Sequence, residues 1–125
     1  MKTVIHTANA PAAIGTYSQA IKVNNAVYLS GQIGLNPQTM TMSDDFNEQA
    51  EQVFKNLTAV IKEAGCTLQD CVKLNVYLTD LNDFSKLNTI MEKYFPAPFP
   101  ARAAIQVSAL PRGAKIEIDG IVHQS

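Results

Sequence analysis

Excess charge of either sign is missing from this chain: 10 Lys and Arg against 11 Asp and Glu leave a formal charge of −1 over 125 residues. That balance argues against nucleic acid as a partner, which is held by a basic stripe. Long apolar runs are missing too. No stretch of 18 apolar residues occurs, so no membrane span is expected. The leading MKTVIHTANAP has no apolar centre of the secretory kind, and the expected compartment is the cytoplasm. Cysteine is scarce. Cys66 and Cys71, five apart, form neither a CxxC pair nor a disulfide framework, and they read as reduced packing thiols. The two histidines, His6 and His123, lie at opposite ends of the chain with no ligand partner at metal spacing, so no metal site is expected.

What is present suits one core. At 46% hydrophobic, 125 residues make one domain, 1–125. Residues 20–35 place an Asn-Asn turn signal between two apolar runs, which predicts a β-hairpin ending near Gly31 and Gly34. Over 45–64, Ala50, Val53, Phe54, Leu57, Val60, Ile61 and Ala64 recur at the spacing of one helical face. Asp45 and Glu48 fit a capping box, and Gly65 stands where a helix-ending glycine belongs. CVKLNVYL, 71–78, alternates as a strand. A second helix is expected from about 83 to 95, stopped by Pro96, with strands near 102–108 and 114–122 joined by the LPRG turn. The order ββαβαββ gives an α+β fold, a mixed β-sheet with two helices packed on one face.

Two helices cover one sheet face. That face should take Val72, Leu74, Val76 and Leu78, then Ala103, Ile105 and Val107, then Ile116 and Ile118. The other would carry Cys71, Lys73, Asn75 and Tyr77, then Arg102, Ala104, Gln106 and Ser108, then Lys115, Glu117, Asp119 and Ile121. This second face is either wet or covered by further copies of the chain; its mixture of small, apolar and isolated charged residues favours copies. Arg102 and Glu117 fall on it together, on strands expected to pair as a hairpin. They are either a cross-strand ion pair, worth under ~1 kcal/mol if exposed, or an anion-binding guanidinium beside a carboxylate that handles water. Arginine suits a carboxylate ligand because its planar fork donates two parallel hydrogen bonds.

Four separated stretches, APAAIGTYSQA (10–20), LSGQIG (29–34), PARAAIQV (100–107) and LPRGAKIEIDGIV (110–122), together resemble the RidA (YjgF-type) reactive intermediate deaminase family nearly end to end. The resemblance implies a chorismate-mutase-like fold and a homotrimer with clefts between subunits. It implies hydrolysis of 2-iminobutanoate, 2-iminopropanoate and their enamine tautomers, released by pyridoxal-phosphate dehydratases, to 2-oxo acids and ammonia, with no cofactor in the protein. It also implies the site residues. Arg102 grips the substrate carboxylate, Glu117 orients water and Tyr17 lines the cleft; Ser30, Gly31, Asn88 and the backbone of Ala104 bind substrate. Taken singly, Tyr17 is equally a packing aromatic, Ser30 and Gly31 strand-end residues, and Asn88 a solvent-facing one. Three positions depart from the family's common residues: Thr16 for proline, Ala104 for cysteine, Asp119 for glutamate. The alternatives in other classes are an endoribonuclease or translation inhibitor, and a non-catalytic sensor of carboxylate metabolites. One chemical tension accompanies the site. A cation beside Glu117 lowers its pKa, so Glu117 is expected to position and polarise water rather than to act as a strong base.

Overall fold

The apolar stripe that follows Asp45 becomes α1 (Phe46–Glu63) in a computed structural model, which describes residues 1–125. The Asp45 carboxylate accepts the Glu48 backbone N–H at 3.0 Å, one half of the expected capping box. The Glu48 side chain accepts instead from the Ser43 hydroxyl, at 2.8 Å. At the other end Gly65 adopts φ +82°. Its N–H donates to Lys62 and that of Cys66 to Ile61, the paired bonds of a glycine-terminated helix.

Six strands form one sheet. In chain order they are β1 (Lys2–Ile5), β2 (Ala20–Val23), β3 (Ala26–Gln32), β4 (Cys71–Leu78), β5 (Ala101–Gln106) and β6 (Ile116–His123). In space the order is β1-β2-β3-β6-β4-β5. The β2–β3 hairpin turns at Asn24, whose φ of 53° is one that asparagine tolerates. β6 lies antiparallel between β3 and β4. α2 (Phe84–Tyr94) carries the chain from β4 to β5, which lies parallel to β4 at the sheet edge. Both helices cover one face. Val53, Phe54, Leu57, Val60 and Ile61 of α1 and Leu87, Ile90 and Met91 of α2 are buried with Leu74, Val76, Leu78, Ile116 and Ile118. Burial of each such side chain contributes on the order of 1.5–3 kcal/mol. No helix is long and apolar enough to cross a membrane.

The α+β class and the two-helix layer stand as expected, with four corrections. A first strand, β1, precedes the expected five. Only Ile5 of its four residues is buried, so it carries no apolar alternation; backbone pairing with β2 makes it a strand. Second, the chain segments holding Arg102 and Glu117 are not a hairpin, because β4 lies between β5 and β6. Third, β5 is inverted. Arg102 pairs with the core residue Leu74, so Arg102 and Ala104 face the helices, while Ala103 and Ile105 face away and Ile105 is 51% exposed. Fourth, a bulge between Cys71 and Lys73 turns Cys71 into the core and leaves Val72 46% exposed.

Candidate active site

The N-terminal loop of residues 6–19 owes its shape to one buried side chain. Gln19 accepts the Thr7 N–H at 2.7 Å and donates to the carbonyls of Thr7 (3.0 Å) and Pro11 (2.8 Å). Ser30 on β3 ties the loop to the sheet: its hydroxyl donates to the Ser18 carbonyl and its N–H to the Gln19 carbonyl. Tyr17 is thereby held at the rim of a cavity of ≈ 540 Å³, whose lining also includes Ile14, Ser30, Gly31, Arg112 and Glu117.

Glu117 projects from β6 to the face that the helices leave uncovered, opposite Tyr77 of β4. No protein group bonds its carboxylate. Burial, and then the charge of Asp119, hold that carboxyl above the ordinary glutamate value. Gly31 makes the room for it. A Cβ at position 31 would stand 2.1 Å from Oε2 of Glu117 and 2.9 Å from its Cδ.

A second cavity, ≈ 430 Å³, lies on the helix side of the sheet edge and is lined by Asn88, Met91, Glu92, Phe99, Pro100 and Arg102. Here α2 grips Arg102 on one side. Nη1 donates to Oδ1 of Asn88 at 2.7 Å and approaches Sδ of Met91 at 3.5 Å. The guanidinium carbon lies 5.0 Å from the centre of the Phe84 ring. Nε and Nη2 have no protein partner, which leaves an edge of the fork able to take a carboxylate in two parallel bonds.

The predicted residues thus fall into two groups. Tyr17, Ser30, Gly31 and Glu117 share one cavity. Arg102 and Asn88 share the other, with Ala104 half-buried on the same face of β5. The two linings have no residue in common, and the side chains of Arg102 and Glu117 leave opposite faces of the sheet. The cross-strand ion pair, one of the two readings of Arg102 and Glu117, is therefore absent within one chain.

Residues 7–124 match the family model described as Endoribonuclease L-PSP. The chain belongs to this family, the YjgF/RidA group. Among its relatives, the human 2-iminobutanoate/2-iminopropanoate deaminase is 47% identical over 125 residues, covering 99% of this chain and 91% of that one. The crystal structure of RidA from an Antarctic Psychrobacter is 53% identical with a TM-score of 0.95, over 97% of this chain and 98% of that one. Escherichia coli TdcF, solved with bound serine, is 37% identical with a TM-score of 0.95, over 98% of this chain and 99% of that one. Against this L-PSP/RidA background two residues stand out that sequence reasoning had passed over. Gln19 builds the loop, but a lone glutamine in YSQA carries no periodic signal. Arg112 lines the first cavity with φ 58° and donates to the Met40 carbonyl at 3.1 Å; LPRG announces only a turn. The cysteines are buried packing groups, and burial pushes the Cys71 thiol up to about 11.

Proposed function

We infer that the protein is a 2-iminobutanoate/2-iminopropanoate deaminase, an enzyme that hydrolyses reactive imines and enamines to 2-oxo acids and ammonia. Relatives at 47% identity over nearly the full chain bear that name. The observation that carries the residue assignment is the half-occupied fork of Arg102, braced by Asn88 and Phe84 with its other edge free. Such an edge fits the carboxylate of a 2-imino acid, in bonds worth on the order of 1.5–3 kcal/mol.

The opposite placement of the two groups supports a site completed by a second copy. In the trimer implied by the family resemblance, one subunit offers Tyr17, Ser30, Gly31 and Glu117, and the next offers Arg102, Asn88 and Ala104. Held there, the substrate meets water at its iminium carbon in an effectively intramolecular step. The C–O bond forms as Glu117 takes a proton from the water, giving a carbinolamine. Glu117 returns the proton to nitrogen. The C–N bond breaks, the carbonyl forms, and the hydroxyl proton leaves with the ammonia as ammonium. The electrophile is the substrate's own carbon, so no cofactor enters. A cytoplasmic setting fits this function and keeps the buried thiols reduced. For RNA cleavage, the activity in the family's description, neither His6 nor His123 lines either cavity.

The test couples a threonine dehydratase to the purified protein and follows loss of the imine and release of 2-oxobutanoate. The wild type should accelerate both. Arg102→Lys keeps the charge and loses the fork, so kcat/KM should fall by roughly ten- to a hundredfold. Full activity in Arg102→Ala would remove the carboxylate assignment.

A further inference from the structure

Glu117 is not the only acid on the uncovered face. Asp119 follows it at the next position facing the same way on β6. Unlike Glu117, it is fully engaged: Oδ1 accepts from the Asn75 side chain at 2.8 Å and Oδ2 from the Tyr77 hydroxyl at 3.0 Å. Both donors come from β4, where Asn75 stands opposite Asp119 and Tyr77 opposite Glu117. The uncovered face therefore presents one carboxylate held by two donors and one, Glu117, with no protein partner.

We propose that Asp119 is a positioning residue for the reaction, a fixed negative charge against which Glu117 takes up and releases its proton and which offsets the guanidinium brought by a second copy. The proposal rests on the assignment of Glu117 above and resolves the tension noted for it. Left alone with a cation, Glu117 would be a weak base. With Asp119 beside it, proton uptake is favoured again, and a base works best with a pKa nearer the working pH.

The surroundings of Glu117 leave Asp119 as the one anion there. Just before β6 stands Lys115, whose ammonium donates to the Asp44 carbonyl. From β4 come Tyr77, Asn75 and, further along, Lys73. From β3 come Tyr28, Ser30 and Gly31, and around the cavity Tyr17 and Arg112. The Tyr77 phenol is held above its ordinary value by burial and by its bond to Asp119, so it stays neutral and remains a donor.

The experiment follows the 13C signals of the Glu117 and Asp119 carboxyls through a pH titration of the assembled protein, assigned with Glu117→Gln, beside pH profiles of kcat/KM. In Asp119→Asn the Glu117 midpoint and the acid limb of the profile should both move to lower pH, and turnover at neutral pH should fall. Asp119→Glu should restore both. In the wild type, the Asp119 signal should shift as Glu117 titrates, which decides the matter even if Asp119→Asn does not fold. An unmoved Glu117 midpoint in folded Asp119→Asn, or an Asp119 signal blind to Glu117 in the wild type, overturns the proposal while Glu117→Gln is inactive. Full turnover in Glu117→Gln overturns the assignment of Glu117 itself, and this proposal with it.

Discussion

A glycine and a glutamate that read as separate motif positions are one packing unit at the residue scale. Gly31 lacks a Cβ where the Glu117 carboxylate needs the volume. Gly31→Ala should keep the fold, because the clash is with a movable side-chain tip, but should displace Glu117. Misplacement on that scale costs about a hundredfold in rate; kcat/KM should drop while the melting temperature barely moves. Glu117 also carries a stability signature. Its carboxyl is raised above the reference 4.5, by burial first and Asp119 second. Between the ordinary and the raised value the folded state binds more protons than the unfolded state, so stability falls as pH rises through that window. Glu117→Gln, with nothing to ionise, should melt higher than its parent at neutral pH, and the difference should vanish below the ordinary carboxylate range. The comparison belongs in an Arg102→Ala background, which removes the cation a neighbouring copy would bring. An equal difference at every pH would contradict the assignment.

α1 and β5 show opposite degrees of legibility at the scale of the element. The three-four spacing, Asp45 and Gly65 placed α1 because each signal acts through groups a few residues away. Its ends should respond accordingly. Asp45→Ala removes the acceptor of the Glu48 N–H and should cost about 1 kcal/mol. Gly65→Ala forces a side chain into φ +82° and should cost about 1–2 kcal/mol. Urea unfolding would check both, and an unchanged midpoint in either would contradict that cap's role. β5 was legible as a strand but not as to its face. An apolar-inward rule buries Ile105. The strand instead buries the stem of Arg102 against α2, where Asn88, Met91 and Phe84 receive its head, as long charged side chains allow. Ala at 101, 103 and 104 gives no counter-signal, so the pairing with Leu74 decides the face.

At the scale of the whole molecule, the two groups of residues line separate cavities. One chain places them on opposite sides of its sheet, so complementation should follow the groups. Equal amounts of Arg102→Ala and Glu117→Gln, co-refolded, should recover about one quarter of wild-type activity, because a cleft can draw each intact half from a different chain. Tyr17→Phe, if inactive alone, should pair with Arg102→Ala in the same way. Arg102→Ala with Asn88→Ala should recover nothing, since both damage the same half. Recovery by that last pair, or none by the first in verified mixed assemblies, would overturn the division.

Read alone, the residues determined what local chemistry can encode: α1 and its caps, the span of β4, the alternation of β6, and motifs specific enough to point to an imine-hydrolysing family. They also placed Glu117 and Asp119 correctly on the uncovered face. Only the tertiary structure decided that β6 inserts between β3 and β4, that β4 therefore separates Arg102 from Glu117, and that the two leave opposite faces. The reason is physical. Strands pair through backbone N–H and C=O groups that are the same at nearly every residue, so a strand's neighbours follow from where the helices bury their apolar faces, not from its own side chains.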